Sequence, residues 1–435
     1  MSGALTTPAP SAASASALSR LAPYGIWIAS GLLLIVLPLI FRSGTALTMM
    51  SLMGIAVVFA LSYNMLLGQT GMLSFGHSVY YGLGAYYTVH AMNAAIAAKL
   101  PIPLPLMPLI GGLAGLAFGM LFGWVSTKRS GTAFAMISLG LGELVGSSSL
   151  ILRSFFGGEE GVSTNRTKLL RLFDWSFGPQ IQVYYLIAAW CLICAACIYA
   201  LTRTPFGRMC NAVRDNPQRT QFVGYNPQVL RYIAFSLSGL FAGIAGGLVA
   251  LNFELANSAL FSATQSGNVL LATFIGGARY FIGPILGAVL VTYLQTMLSD
   301  VTEVWQLYFG LMFIAAVMYA PGGLAGLIMM HGPIRRAGAL SGLFPAYALL
   351  LVPLALALGG AVLIIEMAAH LLVKASEGSQ MTIAGFAFDS GSALPWMTAF
   401  LALIGGSLLL RHAWRLVGAA WNTAAAVARE KGLAL

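Results

Sequence analysis

Of 435 residues, 59% are hydrophobic and only 8% are charged, whereas a soluble domain is about half apolar and a quarter charged. Apolar runs of about 20 residues, the length a helix needs to cross a bilayer, recur along the chain, and mean hydropathy is +0.85. This excludes a soluble globular chain, and because strand-like alternation is absent over most of the length it also argues against a β-barrel.

In chain order, residues 1–25 are rich in Ser, Ala, Thr and Pro and read as a disordered cytoplasmic tail. The apolar run after Arg20 is taken as an uncleaved first helix and not a signal peptide. Helical spans are expected over 25–41, 46–67, 72–92, 106–125, 131–152, 183–202, 230–251, 266–278, 281–298, 305–320, 346–368 and 394–410. The eighth is too short to cross comfortably and reads as a half-helix or re-entrant segment. The expected fold is therefore an all-α, polytopic helical membrane protein in three parts. These are a membrane-embedded core over 26–330 with about ten spans, an arginine-rich loop at 203–229 within it, and an extension over 335–435 with two appended spans.

The net charge of +10 sets topology rather than marking a nucleic-acid binder, because the basic residues sit between apolar runs and not on one solvated face. With both termini in the cytoplasm, most of the 22 basic residues fall inside, as the positive-inside rule requires. Glycines recur every fourth residue at Gly111, Gly115, Gly119 and Gly123, and again at Gly239, Gly243 and Gly247. Such ladders clear one helix face for close packing. Cys191, Cys194 and Cys197 lie within one apolar run with no His or acid alongside, so they read as small helix residues and not as a metal site.

Arg203, Arg208, Arg214, Arg219 and Arg231 gather between two apolar runs, with Asp215 as the one acid among them. Pro205 suits a helix start, Asn216-Pro217 breaks that helix, and a second short helix runs toward Gly224. Asn226-Pro227 supplies a cap for the next span. Phe206, Met209, Cys210 and Val213 share one face, with Arg208 and Arg214 on others. An amphipathic surface helix can lie on anionic lipid or dock into a protein groove. The arginines and defined breaks favour docking, since Arg makes directional pairs with carboxylates.

Several ordered stretches resemble LivM-type permeases, membrane subunits of branched-chain amino-acid ABC importers. They are "PFGR…AVRDNPQRTQFVGYN", "LSYNMLLGQTGMLSFGHSVYYGLGAY", "AFSLSGLFAGIAGGLVAL", "FIGGARYFIGPILGA" and "LMFIAAVMYAPGGLAGL". The match spans roughly residues 45–330. The resemblance implies a multi-pass inner-membrane permease that binds no cofactor itself, with ATP used by separate ABC ATPase subunits. It further implies a second, LivH-type permease subunit and an extracytoplasmic solute-binding protein; membrane lipid surrounds the chain and no nucleic acid is involved. The ATPase would meet Phe206, Gly207, Arg208, Met209, Val213, Arg214, Asp215, Asn216 and Pro217. Two departures, Tyr280 where glycine is common and Gly322 where arginine is common, bear on partner contacts.

Polar groups within spans are the default substrate candidates. Asn64, Gln69, Ser74, His77 and Ser78 cluster beside glycines that allow a broken helix; Asn64 and His77 equally suit bracing between helices. Glu143 is the acid of the core that looks most buried, suited to a path, a gate or a helix contact. Glu366 sits one turn from His370, close enough to pair with it. The loops over 153–182 and 252–268 are candidate docking surfaces for the binding protein, an implication of the family alone.

No G-x-x-x-x-G-K-[ST] occurs, so the chain lacks a P-loop, and no H-E-x-x-H suggests an intramembrane enzyme. The reading is an importer subunit for branched-chain amino acids. A permease for urea or short-chain amides is the alternative, with a stand-alone secondary transporter behind it.

Overall fold

The computed structural model describes residues 25–170, 175–373, 378–383 and 386–432. Nearly all of the expected tail, together with Arg171, Asp174, Lys374 and Glu377, lies outside these residues. The helices are α1 (Gly25–Ile40), α2 (Gly44–Thr70), α3 (Ser78–Ala97), α4 (Met107–Ser126), α5 (Thr132–Ile151) and α6 (Gln180–Arg203). The arginine-rich stretch forms α7 (Pro205–Asp215) and α8 (Pro217–Phe222). Beyond it lie α9 (Pro227–Phe253), α10 (Ala263–Gly276), α11 (Ile282–Val301), α12 (Trp305–Tyr319), α13 (Gly323–Arg336), α14 (Phe344–Val373) and α15 (Ala393–Glu430). Every expected span falls on a helix, except that the third begins at Ser78 and not at 72, because the chain runs irregularly from the left-handed Gly71 through His77. Nine helical stretches among the described residues are long and apolar enough to cross a membrane, with α12 and α13 taken as one. The short α1 and α10 fall outside that set, as does α3 with its four tyrosines.

The core is built around α9, 83% of whose apolar window is buried, against 11% for α15. The glycine ladders of α4 and α9 face each other. A Cβ at Gly115 would stand 2.2 Å from the carbonyl oxygen of Gly239, and one at Gly243 2.2 Å from that of Gly111. Backbones that approach so closely leave room for nothing larger than hydrogen. α10 and α11 meet the same way, where a Cβ at Gly287 would overlap the carbonyl of Ala272 at 1.8 Å.

A belt of buried hydroxyls fixes the depth of the central segments. Ser62, two turns before the end of α2, accepts from His77 at 2.9 Å, and its carbonyl accepts from Ser238 at 2.8 Å. The 71–77 segment therefore climbs back about 12 Å along α2 before α3 begins. Ser78 opens α3 at that depth and bonds Phe261 and Ser266. α10, with 14 residues, spans about 21 Å, short of a hydrocarbon layer of about 30 Å. That is the short length expected for the eighth span.

At the opposite end, β1 (Val162–Ser163) pairs antiparallel with β2 (Leu255–Ala256). Arg166 locks this layer, donating to the carbonyls of Phe177, Gly178, Leu251 and Asn252 and pairing with Glu254 at 3.2 Å. The described parts of the 153–182 loop and the 252–268 loop are thus stitched together.

In the extension, α14 and α15 pack as a hairpin through Gly360 and Gly406, and β3 (Gln380–Ile383) pairs with β4 (Phe386–Asp389) at its tip. The Asp389 carboxyl is held below its usual pKa by the Ser379 hydroxyl and the Gly391 amide. α15 has 38 residues, about 57 Å against a hydrocarbon layer of about 30 Å. Its last turns run past the expected end at 410 and fold onto α13, with Trp421 against His331 at 5.2 Å and Lys431 bonded to the carbonyl of Ala337 at 2.7 Å. The expected Glu366–His370 pair does not form. Glu366 accepts from Tyr308 of α12 at 2.7 Å, and His370 meets Ser390 at 3.4 Å. The tyrosine reaches the carboxylate from the facing core helix, and the histidine turns to the hairpin.

Candidate functional site

The arginine-rich loop folds as its caps dictate. Thr204 receives the amide of Gly207, Asn216 that of Arg219, and Asn226 those of Gln228 and Val229, each just before a proline at the first helical position. Gly207, Cys210 and Val213 of α7 are buried against the body, while Phe206 and Met209 are half-buried. Burial pushes the Cys210 thiol up to about 12, so it packs as a neutral group. Arg208, Asp215 and Pro217 lie on the outer side, the Arg214 side chain turns in to the carbonyl of Gly68, and Asn216 is half-buried in the break. Three large apolar residues at and just past the end of α8 also stand out, Phe222 at 89% exposure, Val223 at 73% and Tyr225 at 45%. They lie within the 203–229 loop, but the contact residues named from sequence end at Pro217 and do not include them. The Gly224 turn, with φ +90°, was the available sign, because a tight turn presents its neighbours outward.

A cavity of about 370 Å³ opens between α2, α10 and α11, with Tyr81 of α3 at its edge. Leu52, Ile55, Ala56, Phe59, Val269, Ala272, Ala288 and Val291 make its apolar wall. Gln265, Asn268, Thr292, Gln295, Thr296 and Ser299 make the polar one. No acid or basic residue lines it. Gln265 and Asn268 stand in the first turns of α10, whose amide-bearing end is capped by Ser262. The remaining four polar groups fall at i, i+3, i+4 and i+7 of α11. A polar stripe on an apolar spanning helix was a legible signal, and the sequence reading passed over it.

The cavity wall contains none of the six substrate candidates from sequence. His77 is fully buried between Phe59, Tyr63 and Tyr80. Because Ser62 gives its proton to the carbonyl of Phe59, the His77 ring must donate from Nε2 to Ser62, which leaves Nδ1 as the acceptor in the neutral ring. Ser78 is tied to Phe261 and Ser266, and the carbonyl of Ser74 accepts from Tyr63 at 3.0 Å. These three fasten the 71–78 segment to its neighbours. Asn64 is buried one turn before Gly68, its Oδ1 without a donor among the described residues, and Gln69 is half-buried. Glu143 lies on the exposed face of α5, not in the core as its sequence setting suggested. That face also carries Met136, Gly140 and Ser147; with both faces of the helix apolar, the pattern does not tell which one packs inward.

A family profile described as "Branched-chain amino acid transport system / permease component" matches residues 45–320. The chain is 26% identical over 291 residues to the high-affinity branched-chain amino acid transport system permease protein LivM of Escherichia coli K12, covering 62% of this chain and 67% of the relative. It is 24% identical over 246 residues to the guanosine ABC transporter permease protein NupQ of Bacillus subtilis 168, covering 53% of this chain and 74% of the relative. It is 25% identical over 249 residues to the fructose import permease protein FrcC of Rhizobium meliloti, covering 53% and 67%. No solved structure matches.

Proposed function

The chain belongs to the family of branched-chain amino-acid transport-system permease components, and from that membership we propose that it carries branched-chain aliphatic amino acids through the α2–α10–α11 cavity. It is a multi-pass inner-membrane permease subunit of an ABC importer. The observation that carries the substrate reading is the two-sided lining. An aliphatic side chain fits the Leu52–Ile55–Val269–Val291 wall, and a zwitterionic head fits the amides and hydroxyls of Gln265, Asn268, Gln295 and Thr296. The start of α10 adds the positive end of a helix dipole for the carboxylate, a device transporters use at broken helices.

Energy comes from ATPase subunits docked on α7 and α8, with Phe222, Val223 and Tyr225 as apolar anchors and Arg208 and Arg219 as directional contacts. A second permease subunit completes the pathway, and the layer locked by Arg166 receives a solute-binding protein. One observation favours a second substrate class: a lining without formal charge equally accepts urea or a short amide.

The test is to purify the tagged chain gently from its native membrane and identify its companions, then measure leucine uptake against urea and acetamide as competitors. An ATPase, a second permease and leucine uptake resistant to urea are expected. Competition by urea or acetamide at concentrations where leucine competes would move the assignment to the amide class.

A further inference from the structure

The three helices that wall the cavity converge at one junction beneath it. α2 lines the cavity from Leu52 to Phe59 and ends at Thr70; α10 ends at Gly276 and α11 starts at Ile282. A Cβ at Gly68 would lie 2.2 Å from Asn64 Oδ1 and 2.4 Å from the carbonyl oxygen of Ala278. The last turn of α2 is therefore in backbone contact with the α10–α11 turn. Arg214 of α7 enters the same junction. Its Nη1 donates to the carbonyl of Gly68, its Nε pairs with Asp215 at 3.0 Å, and its Cγ would lie 3.1 Å from a Cβ at Gly71.

The chemistry suits the place. The last carbonyls of a helix lack intrahelical donors, and that end of the dipole is negative. The amides of Gly71 and Met72 already serve Leu67 and Leu66, so the carbonyl of Gly68 falls to the guanidinium. A planar fork can hold Asp215 and Gly68 together, whereas an ammonium meets them as a point charge. Gly71 adopts φ +70°, and its missing side chain leaves the path of Arg214 open.

We propose that Arg214 is a positioning residue that transmits movement of α7 to the cavity, pulling on the end of α2 where α2 touches the α10–α11 turn. The proposal rests on the importer reading. It separates Arg214 from the docking residues with which its place in the sequence groups it: Arg208 and Phe222 face the ATPase, and Arg214 faces the permease.

The experiment uses the complete purified complex carrying Ala56→Cys as a reporter in the cavity wall. Maleimide labelling of that cysteine is timed with and without ATP plus vanadate, against a parent lacking the reporter. With Arg214 intact, the labelling rate is expected to change about fivefold or more between nucleotide states. In Arg214→Gln the change is expected to fall below about twofold, with the ATPase still co-purifying in the same ratio, and Arg214→Lys is expected to fall between. Asp215→Asn, which frees one side of the fork, is expected to lose part of the response. A full response in Arg214→Gln would overturn the proposal, as would loss of the ATPase from that variant, which would return Arg214 to the docking surface. A reporter that ignores nucleotide with Arg214 intact would overturn it too. An intact chain that brings down no ATPase would instead contradict the importer reading itself, and the transmission role with it.

Discussion

Arg166 and Arg214 play matching parts at opposite ends of the molecule, each placing a guanidinium where a central helix runs out of internal donors. Arg166 closes α9 through the carbonyls of Leu251 and Asn252, is 11% exposed, and ties in Glu254 as well. Arg166→Ala is expected to cost about 2–4 kcal/mol, because several buried acceptors and one carboxylate lose their donor together. Thermal unfolding in detergent would read this as a lower midpoint, with Arg166→Lys only partly restored. In the cavity, Asn268→Leu or Gln295→Leu is expected to raise the half-saturating leucine concentration about 10- to 100-fold, the consequence of leaving a polar substrate group unpaired; uptake kinetics at constant expression would check it. Residues acting through local chemistry were legible in the sequence. Thr204, Asn216 and Asn226 each stand directly before a proline and cap amides no more than three positions along the chain. The role of Ser78 was not legible, since its partners Phe261 and Ser266 lie more than 180 residues away. Nor was the placement of Glu143, because an apolar helix does not announce which face packs inward.

Among the helices, the α4–α9 contact decides whether the core forms. Gly243→Val must push the backbone of α9 away from Gly111 and Gly115, and is expected to destabilise the protein by about 1–3 kcal/mol or more. The measurement is the fraction of monodisperse protein after extraction, compared with Gly267→Val on α10, where an added Cβ meets nothing within 4 Å. The ladder spacing showed that each helix face was cleared for close packing, but not which neighbour would fill it, since Gly243 and Gly246 of α9 also meet α3 at Gly84 and Tyr81. The short apolar run at 266–278 likewise announced a short helix. The long tail of α15 was unreadable by hydropathy, because its Ala-rich face packs on α13 outside the apolar run.

For the whole molecule, an apolar chain with several ordered motifs announced a polytopic permease. Its cavity was hidden because three separate segments supply the wall and each looks unremarkable alone. The extension grips the core through Tyr308–Glu366 at one end and the α13–α15 contact at the other. It does not line the cavity, whose lining residues all fall between Leu52 and Ser299. Passage of solute through the space between α2, α10 and α11 is tested by filling that space with Ala56→Trp and following radiolabelled leucine uptake in cells expressing the complete system. Uptake is expected to fall to the level of cells lacking the chain, while the variant stays membrane-inserted and bound to its ATPase. Uptake at the unaltered rate would place the pathway elsewhere in the molecule.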